Sequence, residues 1–221
     1  MTMMKDKWRP REIKKTLIDF PLYILSRPFK GFDDMKTEGK GDIFYAVMIL
    51  LVWGLVSIWS ITSTGFIITG FWMEVPSVYV FWALFFTYAP IALICVANWS
   101  ITSITDGKGK LKEIFLVYCY ALFPNVICTV IAVLLSNVVT LNEAGFVEFF
   151  FIFGTVLMYF YLFLGLIVIH EFTFLKAIGM VILTLISMMI IIFVLALFVS
   201  LVSEVLMFIF TIAQELDAHL L

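Results

Sequence analysis

Five stretches of this chain, at about Ile43 to Thr69, Ser77 to Ile101, Ile114 to Val139, Val147 to Ile169 and Ala177 to Ser203, contain a single ionised residue between them, Glu148. Each exceeds the roughly 20 apolar residues that an α-helix needs to cross about 30 Å of hydrocarbon. In lipid every backbone N–H and C=O must be satisfied internally, so a spanning run is either a helix or a strand of a closed barrel. The runs lack the alternation over about ten residues that lipid-facing strands require. They therefore predict an all-α, polytopic membrane protein with five transmembrane helices. Composition agrees: 63% of the 221 residues are hydrophobic and 14% charged, against about 45–50% and about 25% in soluble domains. Most of the length is taken by spans, so one helical bundle and no second folded domain is expected.

The distribution of charge gives a direction. All 14 Lys and Arg residues fall in the first 42 positions, in the connector TSITDGKGKLKE, or at Lys176 in HEFTFLK. The connectors GFWMEVP and TLNEAGF and the C-terminal tail have none, and carry Glu74, Glu143, Glu204, Glu215 and Asp217 instead. By the positive-inside rule this asymmetry predicts a cytoplasmic N-terminus and an extracellular C-terminus in the cell membrane. The start, MTMMKDKWRPREIKK, has no short apolar core with a cleavage site, so no removable signal is expected. Three regions follow: a cytoplasmic segment at 1–42, the membrane domain at 43–203, and a tail at 204–221. The tail's apolar half is expected to continue the fifth helix beyond Glu204, while AQELDAH is too polar for hydrocarbon.

Ahead of the first span, Ile13, Leu17, Phe20 and Ile24 recur at helical spacing, with Lys14, Lys15 and Asp19 among them. Such a segment, flanked by Arg9 and Arg11, is expected to lie in the membrane interface or to pack on the underside of the bundle. Pro21 is expected to kink it. The following SRPFKGFDDMKTEGKGD, with Pro28, Gly31, Gly39 and Gly41, reads as a turn between this in-plane element and the first vertical helix.

Chemistry-bearing motifs are few. His170 and Glu171 begin an HExxH pattern, but Phe174 stands where the second histidine belongs, so a zinc-protease helix is excluded. A histidine at a helix end is expected to meet exposed carbonyls or headgroups. Asp106-Gly-Lys-Gly-Lys110 lacks the spacing of a phosphate loop and reads as an inside-retained turn. Cys95, Cys119 and Cys128 are isolated in apolar segments and form neither a metal pattern nor a disulfide framework. No catalytic residue, metal ligand or cofactor site is expected, and nothing points to nucleic acid. Within the spans the polar groups of interest are Asn98, Asn125 and Glu148; Pro90 and Pro124 each free a backbone carbonyl that the asparagines could satisfy, or the asparagines could bridge helices. No GxxxG occurs, though Ser60 with Thr64, Ala83 with Thr87, and Ala132 with Ser136 give small-xxx-small spacing.

The order RPFKGFDDMKTEGKGD, NWSITSITDGKGKLKEIFLVYCYALFP, LLSNVVTLNEAGF and IHEFTFLKAIGMVILTLISMMIIIF resembles the bacterial branch of the YIP family, over about residues 20 to 221. The resemblance implies five helices, a cytoplasmic N-terminus and an adaptor role. It also implies a partner class, since bacterial relatives work beside ABC transporters, including carbohydrate importers. GTPase binding in the eukaryotic branch is tied to a long cytoplasmic N-terminal region that about 42 residues do not match, so it is not expected here.

The resulting expectation is a non-enzymatic accessory subunit that binds ABC permease subunits and lipid. Its docking face would use Arg27, Pro28, Phe29, Phe32, Asp106, Lys108, Lys110, His170, Glu171 and Lys176. The alternative is a homo-oligomeric transporter or channel with Asn98, Asn125 and Glu148 along its path.

Overall fold

The computed structural model describes residues 18–65, 77–105 and 107–220. It is all-α, with no strand among the described residues. Two short helices, α1 (Phe20–Ser26) and α2 (Pro28–Thr37), precede α3 (Ile43–Ser63), α4 (Ser77–Ile104) and α5 (Leu111–Ser136). A 3₁₀ turn at Leu141–Glu143 leads into α6 (Ala144–His170), and α7 (Phe174–Leu220) closes the chain. Among the described residues, five helices are long and apolar enough to cross a membrane, namely α3 to α7.

The stretch expected to be a turn is mostly helix. Pro28 occupies the first turn of α2, where its missing N–H costs nothing, and Phe32 and Met35 share the face that becomes buried. Gly31 lets α2 fold back on α1, since a Cβ there would lie 2.8 Å from Ile24 Cγ1. Only Arg27, at φ −141°, and the short segment after Thr37 break the helical path. Gly39 takes a left-handed φ of 63°, and Asp42 then caps α3 by accepting from Phe44 N–H at 3.1 Å.

The buried face of α1 and α2, comprising Phe20, Ile24, Phe32 and Met35, belongs to the main core with α5 and α6. Tyr161 of α6 donates to the Leu25 carbonyl at 2.7 Å, satisfying an orphan at the end of α1. Ile18, Leu22 and Phe29 are exposed on the other side, which is the face left for a lipid interface. Ile13, Leu17 and the basic residues from Arg9 to Lys15 lie outside the described residues.

Helix α5 is the hub. Of its most apolar window 72% is buried, against 11% for α7, so α5 faces protein while α7 faces lipid over most of its length. It packs chiefly against α6 and α3, whereas α7 packs chiefly against α4. Close approach of α5 and α6 depends on Gly154 and Gly165, about three turns apart and so on one face of α6. A Cβ at Gly154 would lie 2.6 Å from Cys128 Cβ, and one at Gly165 would overlap Val117. Of the small-xxx-small pairs, Ala132 and Ser136 are both buried. Ser136 Oγ accepts from Gly65 N–H at 2.9 Å, and Asn137 donates to the Ser63 carbonyl at 2.9 Å. These bonds end α3 at Ser63, short of the expected Thr69.

Gly165→Val is expected to force α6 away from α5 and destabilise the bundle by about 1–3 kcal/mol. Thermal unfolding in detergent would register it as a lowered midpoint, whereas Gly145→Ala, with nothing within 4 Å of the added methyl, should leave the midpoint unchanged.

Candidate docking face at the basic end

Lys36, Lys108 and Lys176 come from three different segments of the sequence, and the fold gathers them at one end of the bundle around the end of α6. Helix α6 terminates because Glu171 adopts the left-handed conformation, φ 56° and ψ 38°, and its N–H returns to the Ile167 and Val168 carbonyls. That reversal points the Glu171 carboxylate back over the end of the bundle. One oxygen meets Lys36 Nζ of α2 at 2.8 Å, and the other meets Lys108 Nζ of the α4–α5 connector. The hydrogen bonds from Lys108 and then Lys36 hold its carboxyl down to about 2. A single side chain thus ties together elements 135 and 63 positions away in sequence.

His170 lies directly beneath and is 2% exposed. Gly109 N–H donates to its Nδ1 at 3.1 Å, so Nδ1 carries no proton and Nε2 donates to Asn98 Oδ1 at 3.2 Å. Asn98 Nδ2 donates in turn to Thr184 Oγ1 at 3.1 Å, and Thr184 donates to the Met180 carbonyl at 2.8 Å. Each donor in this chain finds one acceptor. The four groups join the α4–α5 connector, α6, α4 and α7 by a polar path that is buried throughout its Asn98, His170 and Thr184 side chains.

The glycines of DGKGK have a role here that a turn alone does not require. A Cβ at Gly107 would sit 2.8 Å from His170 Nδ1, and one at Gly109 would sit 2.6 Å from Cε1. The connector backbone lies flat on the imidazole, and only glycine permits that approach. The ring also stacks on Phe172 with centroids 5.1 Å apart, and Lys176 Nζ stands 4.6 Å from the centroid of the Phe172 ring. The expectation that His170 would meet open carbonyls or headgroups is therefore corrected: the connector folds over it first.

Of the sequence-predicted docking residues, Lys108, Glu171 and Lys176 are exposed and share this end with His170. Arg27 and Phe29 are exposed at the α1–α2 junction, with Pro28 half-buried between them. Lys110 is exposed, and its backbone N–H is capped by Glu113 at 3.1 Å. Two assignments change. Phe32 is fully buried and His170 nearly so, which makes both supports of the face without surface to offer a partner. Asp106 lies outside the described residues. Sequence reading missed Lys36 as a partner of Glu171 and missed Thr184, because neither pairing has a local signal. It also missed Asp34, a buried carboxylate accepting from Lys40 at 2.8 Å and Tyr23 at 3.2 Å. The Lys40 contact holds that carboxyl below its ordinary range, and the pair with Asp34, then Glu38, raises Lys40.

The three intramembrane polar residues do not converge. Asn98 walls a cavity of about 290 Å³ between α4, α6 and α7, beside Thr184, Leu162 and Leu166. Asn125 is spent on Thr129 at 3.0 Å and on the Met158 sulfur at 3.7 Å, so it bridges α5 to α6. Glu148 is exposed near the start of α6. Neither Asn125 nor Glu148 lines the cavity. Among the described residues no cluster of three His, Cys, Asp or Glu side chains is arranged to hold a metal.

Five apolar helices and a capped polar end define a multi-pass helical membrane protein. The Yip1 domain family profile matches residues 22–196, most of the chain, and the protein belongs to that family. No curated protein and no solved structure matches it.

Because the Glu171 carboxyl is depressed when folded, its contribution to stability is complete above the ordinary carboxylate range and is lost as the pH falls towards about 2. Glu171→Gln is accordingly expected to lower the unfolding midpoint at pH 7, with the gap to wild type closing as the buffer is taken below about pH 4. A gap independent of pH would show that the backbone turn, and not the charge, carries the effect. Gly109→Ala is expected to displace the connector from His170, read as faster hydrogen exchange across residues 107–110 with the spans unaffected.

Proposed function

We propose that this protein is a non-enzymatic accessory subunit of the cell membrane that docks on another membrane complex and stabilises or regulates it. The partner class is the transmembrane core of an ABC importer, of the carbohydrate-transporting kind. The basic end is the cytoplasmic one, a reading supported by the placement of every Lys and Arg in the 1–42 segment, the α4–α5 connector or Lys176.

The observation that carries the proposal is the Glu171 clamp. Three separate segments are locked into one surface by paired charges above the hydrogen-bonded His170–Asn98–Thr184 chain, and among the described residues no metal-holding cluster is formed. Pre-organisation of that kind reduces the ordering cost of association. At the α1–α2 junction Phe29 is 58% exposed, with Arg27 and Lys30 exposed beside it, and Lys110 is exposed on the connector. An exposed aromatic with arginine beside it is the composition of an interface anchor. The partner class comes from the family resemblance, and the surface is of a form suited to the cytoplasmic loops of a permease.

Tagged protein extracted in mild detergent is expected to bring down permease subunits at stoichiometric yield. Phe29→Asp with Arg27→Glu should cut that recovery about tenfold while the variant still elutes as a single folded species. Recovery of the protein alone from several detergents would overturn the proposal.

A further inference from the structure

Helix α7 is too long for the bilayer. Its candidate membrane-spanning stretch, Phe174–Ile212, has 39 residues, or about 58 Å at 1.5 Å per residue. Fitting all of it into about 30 Å of hydrocarbon would require a tilt of about 60°, beyond the roughly 40° limit of membrane helices. No proline interrupts it to allow a kink. At the limiting tilt about 26 residues fill the core, leaving about 13 beyond it. The sequence marks the same boundary: Ser200, Ser203 and Glu204 follow an unbroken apolar run.

Past that boundary come Val205, Leu206, Met207, Phe208, Ile209 and Phe210, then Ile212, all exposed. Successive helical residues are about 100° apart, so these side chains surround the helix completely. A helix apolar on all sides is neither an interfacial helix nor a water-facing one; it is a buried one. Among the described residues, the contacts of α7 with the bundle supply no such cover. Ala177, Met180, Thr184 and Ser187 form its buried seam, and from Met189 to Ile212 the helix is exposed apart from half-buried Ile191.

Charge selects the occupant. No Lys or Arg follows Lys176, and none lies in the two connectors at the acidic end. A second parallel copy packed on the Glu204 side of the helix would set Glu204 against Glu204 with no cation to separate them. We propose that the Val205–Ile212 segment is a docking helix for a different membrane protein, whose own apolar helix rises beyond the bilayer and carries a Lys or Arg level with Glu204. This inference rests on the accessory-subunit reading and adds a second contact, at the opposite end of the molecule from the Glu171 clamp.

A photo-reactive benzoylphenylalanine placed at Phe208 or Phe210 in the full chain, in intact cells, tests it, with Phe193 as the lipid-level control. Positions 208 and 210 are expected to give one hetero-adduct, mapped by mass spectrometry to an apolar segment of the partner next to Lys or Arg. Glu204→Lys should reduce its yield about tenfold, and Glu204→Asp should retain it. An adduct between two copies of this chain, an adduct indifferent to Glu204→Lys, or no protein adduct at all would overturn the inference. If permease subunits still co-purify in any of those cases, the accessory reading stands and only this contact falls. If nothing co-purifies, both fall.

Discussion

The close approach of α5 to α6 is the contact on which the remaining structure rests. Inside a membrane, apolar side chains gain nothing by leaving lipid for protein, so helices associate where they fit tightly and where polar groups meet. Gly154 and Gly165 give α6 a face on which Cys128 and Val117 of α5 can sit against its backbone. That contact makes α5 the buried axis. Once α5 is central, α3 packs beside it, and α1 and α2 close its basic end through Phe20, Ile24 and Phe32.

Helix α7 joins this assembly differently. It meets α6 little, and its seam on α4 ends near Ser187. What fixes its height is the hydrogen-bond chain from Gly109 through His170 and Asn98 to Thr184. A buried polar group left without a partner costs about 1–3 kcal/mol, so any slide of α7 that parted Thr184 from Asn98 would carry that cost. The polar chain acts as a register pin for a helix whose apolar surface is indifferent to its position in lipid.

The spans and their number were legible because hydrocarbon tolerates so few charges; Ile43 and Ser77 begin α3 and α4 as the uncharged runs predict. The helical nature of Pro28–Thr37 was hidden because its glycine and proline serve a helix start and a close contact with Ile24, functions that read locally as turn signals. The docking residues were recognised one segment at a time: Lys108 and Glu171 were both visible, but that one clamps the other, with Lys36 added, depends on a left-handed residue at the end of α6. His170 was misjudged for a related reason. Its exposure was inferred from its place at a helix end, whereas Gly107 and Gly109 allow the connector to cover it. The seam glycines of α6 escaped notice because they are spaced by about three turns, not by the single turn of GxxxG.

The two ends of the molecule are thus finished by opposite means. At the basic end, three of the cations are matched within the chain: Glu171 answers Lys36 and Lys108, and Asp34 and Glu38 answer Lys40. At the acidic end no Lys or Arg is available to answer Glu204, and the helix that carries it runs on through apolar residues on every side. That pairing fixes the shape of the basic end before any partner is met, and leaves Arg27, Lys30 and Lys110 exposed. A helix that is apolar all round beyond the bilayer has no stable resting place in water or at the interface. Among the described residues nothing covers it, and the contact proposed above is what would supply that cover.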